Sequence, residues 1–217
     1  MRKTSERVLF LLGSPKDPDR SNAARLGGLV VDGLEDCGWE SEFVHLHRAV
    51  SSEEGTAALL RAVGRSDVML FSAPLSVDSL PAPAIRALEL IAARPRPADG
   101  RRPPRFVSIV HCGFLEPSQN DTCQRILSRF ADQAGLEWVA GVSLGAGGRI
   151  TKRIRQAFEL LVDAIDLELL VPDTVDRLTR KPVMPRWLYI WGGNAMWKRW
   201  AERNGVKERL KERPYLR

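Results

Sequence analysis

Gly13, Ser14, Lys16, Ser21 and Asn22 bring a turn former, two hydroxyls, an ammonium and an amide into one short stretch, LLGSPKDPDRSNAARL (11–26). Those residue types at the mouth of a helix suit one chemistry, the capture of a phosphate. Gly13 lets the chain turn sharply off the apolar run VLFLL. Ser21 or Asn22 can cap the helix that follows, whose first backbone N–H groups have no partner within it. An anion placed there gains those N–H groups and the positive end of the helix dipole. Lys16 adds a point charge, and Arg20 is placed to add another. The stretch has neither the Gly-Lys-Ser/Thr of a Walker loop nor the G-x-G-x-x-G of a dinucleotide loop.

Two further loops carry residues of interest. In SAPLSVDSLPAPAIRAL (72–88), Pro74, Pro81 and Pro83 stiffen the chain, and Ser76, Asp78 and Ser79 alternate with apolar residues. Such a loop can offer backbone N–H and C=O groups to a flat heterocycle while its apolar side chains touch the ring. In HCGFLEPSQN (111–120), Gly113 permits close backbone approach and Phe114 can lie against an aromatic ligand. Cys112 has no evident histidine or acid to activate it, so a buried thiol is expected and no catalytic side chain is assigned. Cys37, Cys112 and Cys123 form no CxxC pair, which indicates neither a zinc site nor a disulfide framework. His45 and His47 share one face of an expected strand and read as polar strand residues rather than as metal ligands.

Such loops need a frame, and the apolar pattern supplies one. Strand-like runs at 7–12, 41–46, 67–73, 105–112 and 136–144 alternate with helix-like stretches at 21–36, 53–64, 82–93, 117–134 and 150–170. Residues 94–104 read as a loop rich in proline and charge. Strict alternation implies an α/β fold, a parallel sheet with helices on both faces. The first, third and fourth strands are near-continuous apolar runs, whereas the second alternates as an edge strand does. The expected architecture is a five-stranded parallel sheet of order 2-1-3-4-5, a flavodoxin-like three-layer sandwich with a helical C-terminal extension. Ligands of such sheets sit beyond the carboxyl ends of the strands at the switch point, here between strands one and three.

The chain has 217 residues, 44% of them hydrophobic, enough for a real core. No apolar run reaches bilayer-spanning length. The basic start MRKTSER is followed by only a short apolar run and no cleavage site, so a cytoplasmic protein is expected. The formal net charge is +6, but from Thr174 onward there are 12 Lys/Arg against 4 Asp/Glu, so the basic character belongs to the tail. The main domain is therefore not expected to bind nucleic acid. The expected division is 1–170 as the ligand-binding domain and 171–217 as a basic extension. Trp187, Trp191, Trp197 and Trp200 crowd that extension. Two helices are expected, one on each side of Gly192-Gly193, with Met196, Trp197 and Trp200 turned inward. Packing on its own domain or on a partner subunit is the favoured reading. Contact with an anionic membrane surface, or a lid over the ligand, are the others.

The three loops resemble those of the NADPH-dependent FMN reductases and related multimeric flavodoxins. GSPKDPDRSNAARL is similar to the family's flavin-phosphate loop, DVMLFSAPLSVDSLPAPAIRALELI to its second segment, and the stretch from VSIVHCGF to SLGAGG to its third. The resemblance covers about residues 7–170 and implies a flavodoxin-like fold, FMN as cofactor, NAD(P)H as electron donor and a homodimer or tetramer. By position it implies that Ser14, Lys16, Ser21, Asn22 and Ala23 hold the phosphate. Pro74, Leu75, Ser76, Val77 and Ser79 would lie beside the isoalloxazine, with Gly113 and Phe114 on the third loop. In two places the chain departs from the family: Leu75, Ser76 and Val77 stand where an aromatic residue is usual, and Ala23 replaces a hydroxyl residue. The implied activity passes electrons from a nicotinamide through flavin to a small-molecule or protein acceptor. The alternative is a binding or regulatory protein without turnover whose tail docks on a partner or membrane. A receiver-like signalling domain is disfavoured, because the loop after the first strand is Gly-Ser-Pro-Lys rather than an acidic cluster.

Overall fold

A computed structural model of the chain describes residues 6–94 and 102–212. Residues 95–101 of the expected loop 94–104 lie outside the described residues. Five strands, β1 (Arg7–Leu12), β2 (Glu40–His45), β3 (Val68–Pro74), β4 (Arg105–His111) and β5 (Glu137–Leu144), form one parallel sheet in the order β2-β1-β3-β4-β5. This is the expected order. β3 and β4 are buried almost throughout, as strands covered on both faces must be, while β2 alternates and lies at an edge.

Helices α1 (Asn22–Asp36), α2 (Leu46–Ala49), α3 (Glu53–Arg65), α4 (Ala82–Ala92), α5 (Asp121–Ala134), α6 (Lys152–Asp166) and α7 (Asp173–Arg180) complete the first compact unit, Met1–Pro182. One core lies between the sheet and α1 and α6, where Leu26, Val30 and Leu34 meet Phe10, Leu12, Leu70 and Ile109. The other lies on the opposite face, where Leu59, Leu88 and Leu127 meet Leu9, Phe71 and Phe106. The side-chain period of two along each strand makes both cores at once. α1 approaches the sheet closely: a Cβ on Gly27 would lie 2.3 Å from the Phe10 ring.

Several boundaries differ from expectation. β2 ends at His45, so His47 belongs to α2 and the two histidines do not share a strand face. Pro117 opens a 3-10 turn to Asn120, and α5 starts only at Asp121. α6 spans 152–166 rather than 150–170; Thr151 caps its start and Glu168 turns left-handed beyond its end at φ 52°. α7, which the apolar pattern did not reveal, places Val175 in the first core, so that compact unit runs past residue 170 to Pro182.

The second unit, Val183–Arg217, contains α8 (Arg186–Arg203). The helix runs unbroken through Gly192-Gly193, where two helices were expected. A helix-interior glycine costs about 1 kcal/mol against alanine, which weakens a helix without forbidding it. Met196, Trp197 and Trp200 are exposed rather than inward. Among the described residues no helix is long and apolar enough to cross a membrane.

Candidate functional site

The loop between β1 and α1 is pinned on three sides. Gly13 donates its N–H to the Ser72 carbonyl at 2.8 Å, and a Cβ on Gly13 would lie 2.9 Å from both Ala73 and the Phe71 ring. Only glycine lets the loop leave the sheet this close to β3. The buried Ser14 hydroxyl accepts the Lys16 amide at 3.2 Å, and the Ser14 carbonyl accepts from His45 Nε2 at 2.7 Å. A carbonyl can only accept, so Nε2 is the donor in that bond, while Nδ1 is buried and unpartnered. Arg48 on α2 pairs with Asp17 at 2.6 Å. A 3-10 turn over Pro18–Arg20 then delivers Ser21 to the start of α1.

Ser21 is buried and acts as the N-cap, its Oγ accepting from the Ala24 amide at 3.3 Å. Ala23 buries its methyl completely, and its carbonyl accepts from Ser72 Oγ at 2.8 Å, which fixes the first turn of α1 against β3. Asn22 donates through Nδ2 to the Gly147 carbonyl at 2.8 Å. The amides of Asn22 and Ala23 sit in the first turn, where no carbonyl of the helix reaches them. Lys16 and Arg20 are exposed beside this turn. The result is a rigid positive helix end with cations at hand.

In the second loop, Ser76 and Ser79 exchange two backbone hydrogen bonds of 2.8 and 3.0 Å across Val77-Asp78. Both central residues are left-handed, at φ 48° and 58°, and the Val77 side chain is 96% exposed. Two-residue turns of this kind favour Asn-Gly, and a β-branched residue there is strained. Pro74 and Leu75 are half-buried, and the Leu75 N–H bonds the His111 carbonyl at 2.8 Å, tying the loop to β4.

In the third loop, Gly113 and Phe114 are exposed. Cys112 is buried, its Sγ 3.7 Å from the carbonyls of Phe114 and Glu116. Burial pushes its thiol above the usual range, so it is a protonated, unreactive group at neutral pH.

Two features escaped the sequence reading. His111 ends β4 on the face shared by Val107 and Ile109, turned towards α1, and its Nδ1 is buried and unpartnered. Burial, with the Lys16 ammonium pushing the same way, lowers its pKa to about 4, so the ring is neutral at pH 7. The continuous apolar run of β4 was the signal, since it sets His111 at the strand's carboxyl end. The second feature is the loop after β5. Ala146, Gly147 and Gly148 are left-handed in succession, at φ 50°, 70° and 72°. Gly147 donates to the Cys112 carbonyl at 2.8 Å while its own carbonyl receives Asn22. This loop bridges the β4 loop and the start of α1, and the glycines of LGAGG (144–148) were its mark in the sequence.

The loops after β1, β3, β4 and β5 therefore meet along the carboxyl rim of a parallel sheet, where open sheets of this kind bind ligands. No protein-family model matches the sequence, and no curated protein is similar to it at the level of sequence. Solved structures are similar to it in three dimensions. A structure of an NADH:FMN oxidoreductase in its apo form aligns with a TM-score of 0.62 at 14% identity, over 84% of this chain and 97% of that chain. An NAD(P)H:quinone oxidoreductase from Methanothermobacter marburgensis aligns at 0.53 and 17%, over 75% and 95%. A flavodoxin from Streptococcus pneumonia aligns at 0.56 and 11%, over 75% and 99%. With the strand order, these likenesses establish that the chain has the flavodoxin-like fold.

Proposed function

We propose that the chain is an FMN-dependent NAD(P)H oxidoreductase. The observation that carries this reading is the pinned first turn of α1, with two unpaired amides and Lys16 beside it at the rim of the sheet. FMN, when bound, supplies hydride acceptance and onward electron transfer. The protein's share is to hold it. The amides of Asn22 and Ala23 and the side chains of Lys16 and Ser14 receive the phosphate, while Ser21 fixes the helix end that presents them. The Ser14 hydroxyl accepts the Lys16 amide, which leaves its proton to give. Pro74, Leu75, Ser76, Val77 and Ser79 offer backbone and apolar edges to the ring, and Gly113 and Phe114 offer theirs from the β4 loop. The names of two similar solved structures, an NADH:FMN and an NAD(P)H:quinone oxidoreductase, support the reaction class. The acceptor is a small molecule or a protein. The assembly is proposed to be a homodimer or tetramer, as the resemblance implies.

A second reading, a flavodoxin-like binding protein without turnover, draws on Val77. A strained aliphatic residue projects into solvent where an aromatic would stack on the ring. The test is optical and kinetic. Protein mixed with FMN and desalted should keep oxidised-flavin bands near ~375 and ~450 nm and should consume NAD(P)H. Retained colour without NAD(P)H consumption favours the second reading. A colourless protein that leaves FMN fluorescence unquenched contradicts the first reading and favours the second.

A further inference from the structure

We propose that the C-terminal unit is an interfacial anchor for anionic membrane surfaces. Residues 183–217 hold 9 Lys/Arg and 3 Asp/Glu, while the rest of the chain holds 24 of each sign. The whole formal charge of +6 therefore resides in this unit, and the remainder is neutral.

α8 joins that charge to an aromatic surface. Trp187, Trp191, Trp197 and Trp200 are 48–70% exposed, and Ile190 and Met196 are 49% and 44% exposed. Ile190, Met196, Trp197 and Trp200 fall on one arc at helical spacing, and the Trp197 and Trp200 rings meet edge to face at 5.2 Å. Arg199 and Arg203 border the arc on one side; on the other, Lys198 falls between Trp187 and Trp191. Indole rings prefer the headgroup level, where an apolar body meets water, and basic residues are drawn to anionic lipids. α8 is not apolar enough to cross a bilayer, so it lies in the plane of the surface.

Charge selects this occupant over the others. A second copy presents a neutral body and a tail of like charge. Nucleic acid matches the charge but offers nothing to the exposed Ile190, Met196 and Leu210 side chains. An anionic bilayer accepts both. The inference is independent of flavin binding.

The full chain is to be sedimented with vesicles of phosphatidylcholine alone and of phosphatidylcholine with about a third phosphatidylglycerol. Binding to the anionic vesicles should be at least ~10-fold stronger, should shift tryptophan emission to the blue, and should fall steeply as salt shortens the screening length. Trp197→Ser with Trp200→Ser, and separately Arg199→Glu with Arg203→Glu, should each cut binding by ~10-fold or more with helix content and melting unchanged. Both pairs alter exposed side chains, so folding is preserved and checked by circular dichroism. Protein that stays in the supernatant with anionic vesicles overturns the proposal. So does equal binding to both vesicle types, a dimer that the same substitutions dissociate while vesicle binding is absent, or binding to a short oligonucleotide but not to vesicles.

Discussion

His111 connects the site to pH. Its pKa of about 4 lies below the ordinary 6.5 because burial, and then the Lys16 ammonium, penalise the imidazolium. Between these two values the unfolded chain binds a proton that the folded chain refuses. The group's contribution to stability is therefore complete above pH 6.5 and drains away as pH falls towards 4. The loss by the lower end is roughly 2–3 kcal/mol. Urea melts should show His111→Gln losing less stability than wild type over that range; parallel losses would contradict the assignment. Lys16→Met should raise the His111 pKa, which an NMR titration of the ring reads directly. Ser21→Asp puts a carboxylate at the mouth of α1, where it should weaken FMN binding by ~10-fold or more, on the order of 1.4 kcal/mol.

At the scale of the element, the close approach of α1 to β1 depends on one missing methyl group. Gly27→Ala drives a Cβ to 2.3 Å from the Phe10 ring, whereas Gly28 has nothing within 4 Å. Thermal melts should show Gly27→Ala destabilised by about 1–3 kcal/mol and Gly28→Ala unchanged or stabilised by up to about 1 kcal/mol. The Val77-Asp78 turn makes the opposite prediction. Val77→Asn with Asp78→Gly supplies the residues its left-handed backbone favours and should raise stability by about 1–2 kcal/mol, with unchanged melting as the contrary result.

The same elements show what the sequence made legible. Apolar runs with alternating helices revealed the sheet order, because burial on both faces removes polar residues from central strands and leaves β2 to alternate. The N-cap at Ser21 was legible because capping is local. α7 was not, since its eight residues carry only a short amphipathic pattern that becomes a core element when Val175 meets α6 and β5. At Gly192-Gly193 the local propensity predicts a break, and continued hydrogen bonding along α8 overrides it. The meaning of His111 and of the loop after β5 is tertiary: a strand end and a glycine run come together only when α1 is laid across them.

At the scale of the whole molecule, the chain separates its chemistry by region. A neutral α/β unit carries the candidate ligand rim, and a basic, aromatic unit carries the charge. Thiol accessibility follows the same fold. Cys37 is exposed, while Cys112 and Cys123 are buried, and burial pushes the Cys123 thiol up to about 12. A thiol reagent should titrate one cysteine in the native protein and all three after denaturation; rapid reaction of a second native thiol would contradict the packing at the end of β4 or under α5.

The central claim is that the start of α1 seats a phosphate. It is tested most directly by titrating the protein with FMN and with riboflavin, which differ only in that group. Two or more charge-assisted hydrogen bonds at the helix end should make FMN bind at least ~100-fold more tightly than riboflavin. Equal dissociation constants for the two flavins would contradict it.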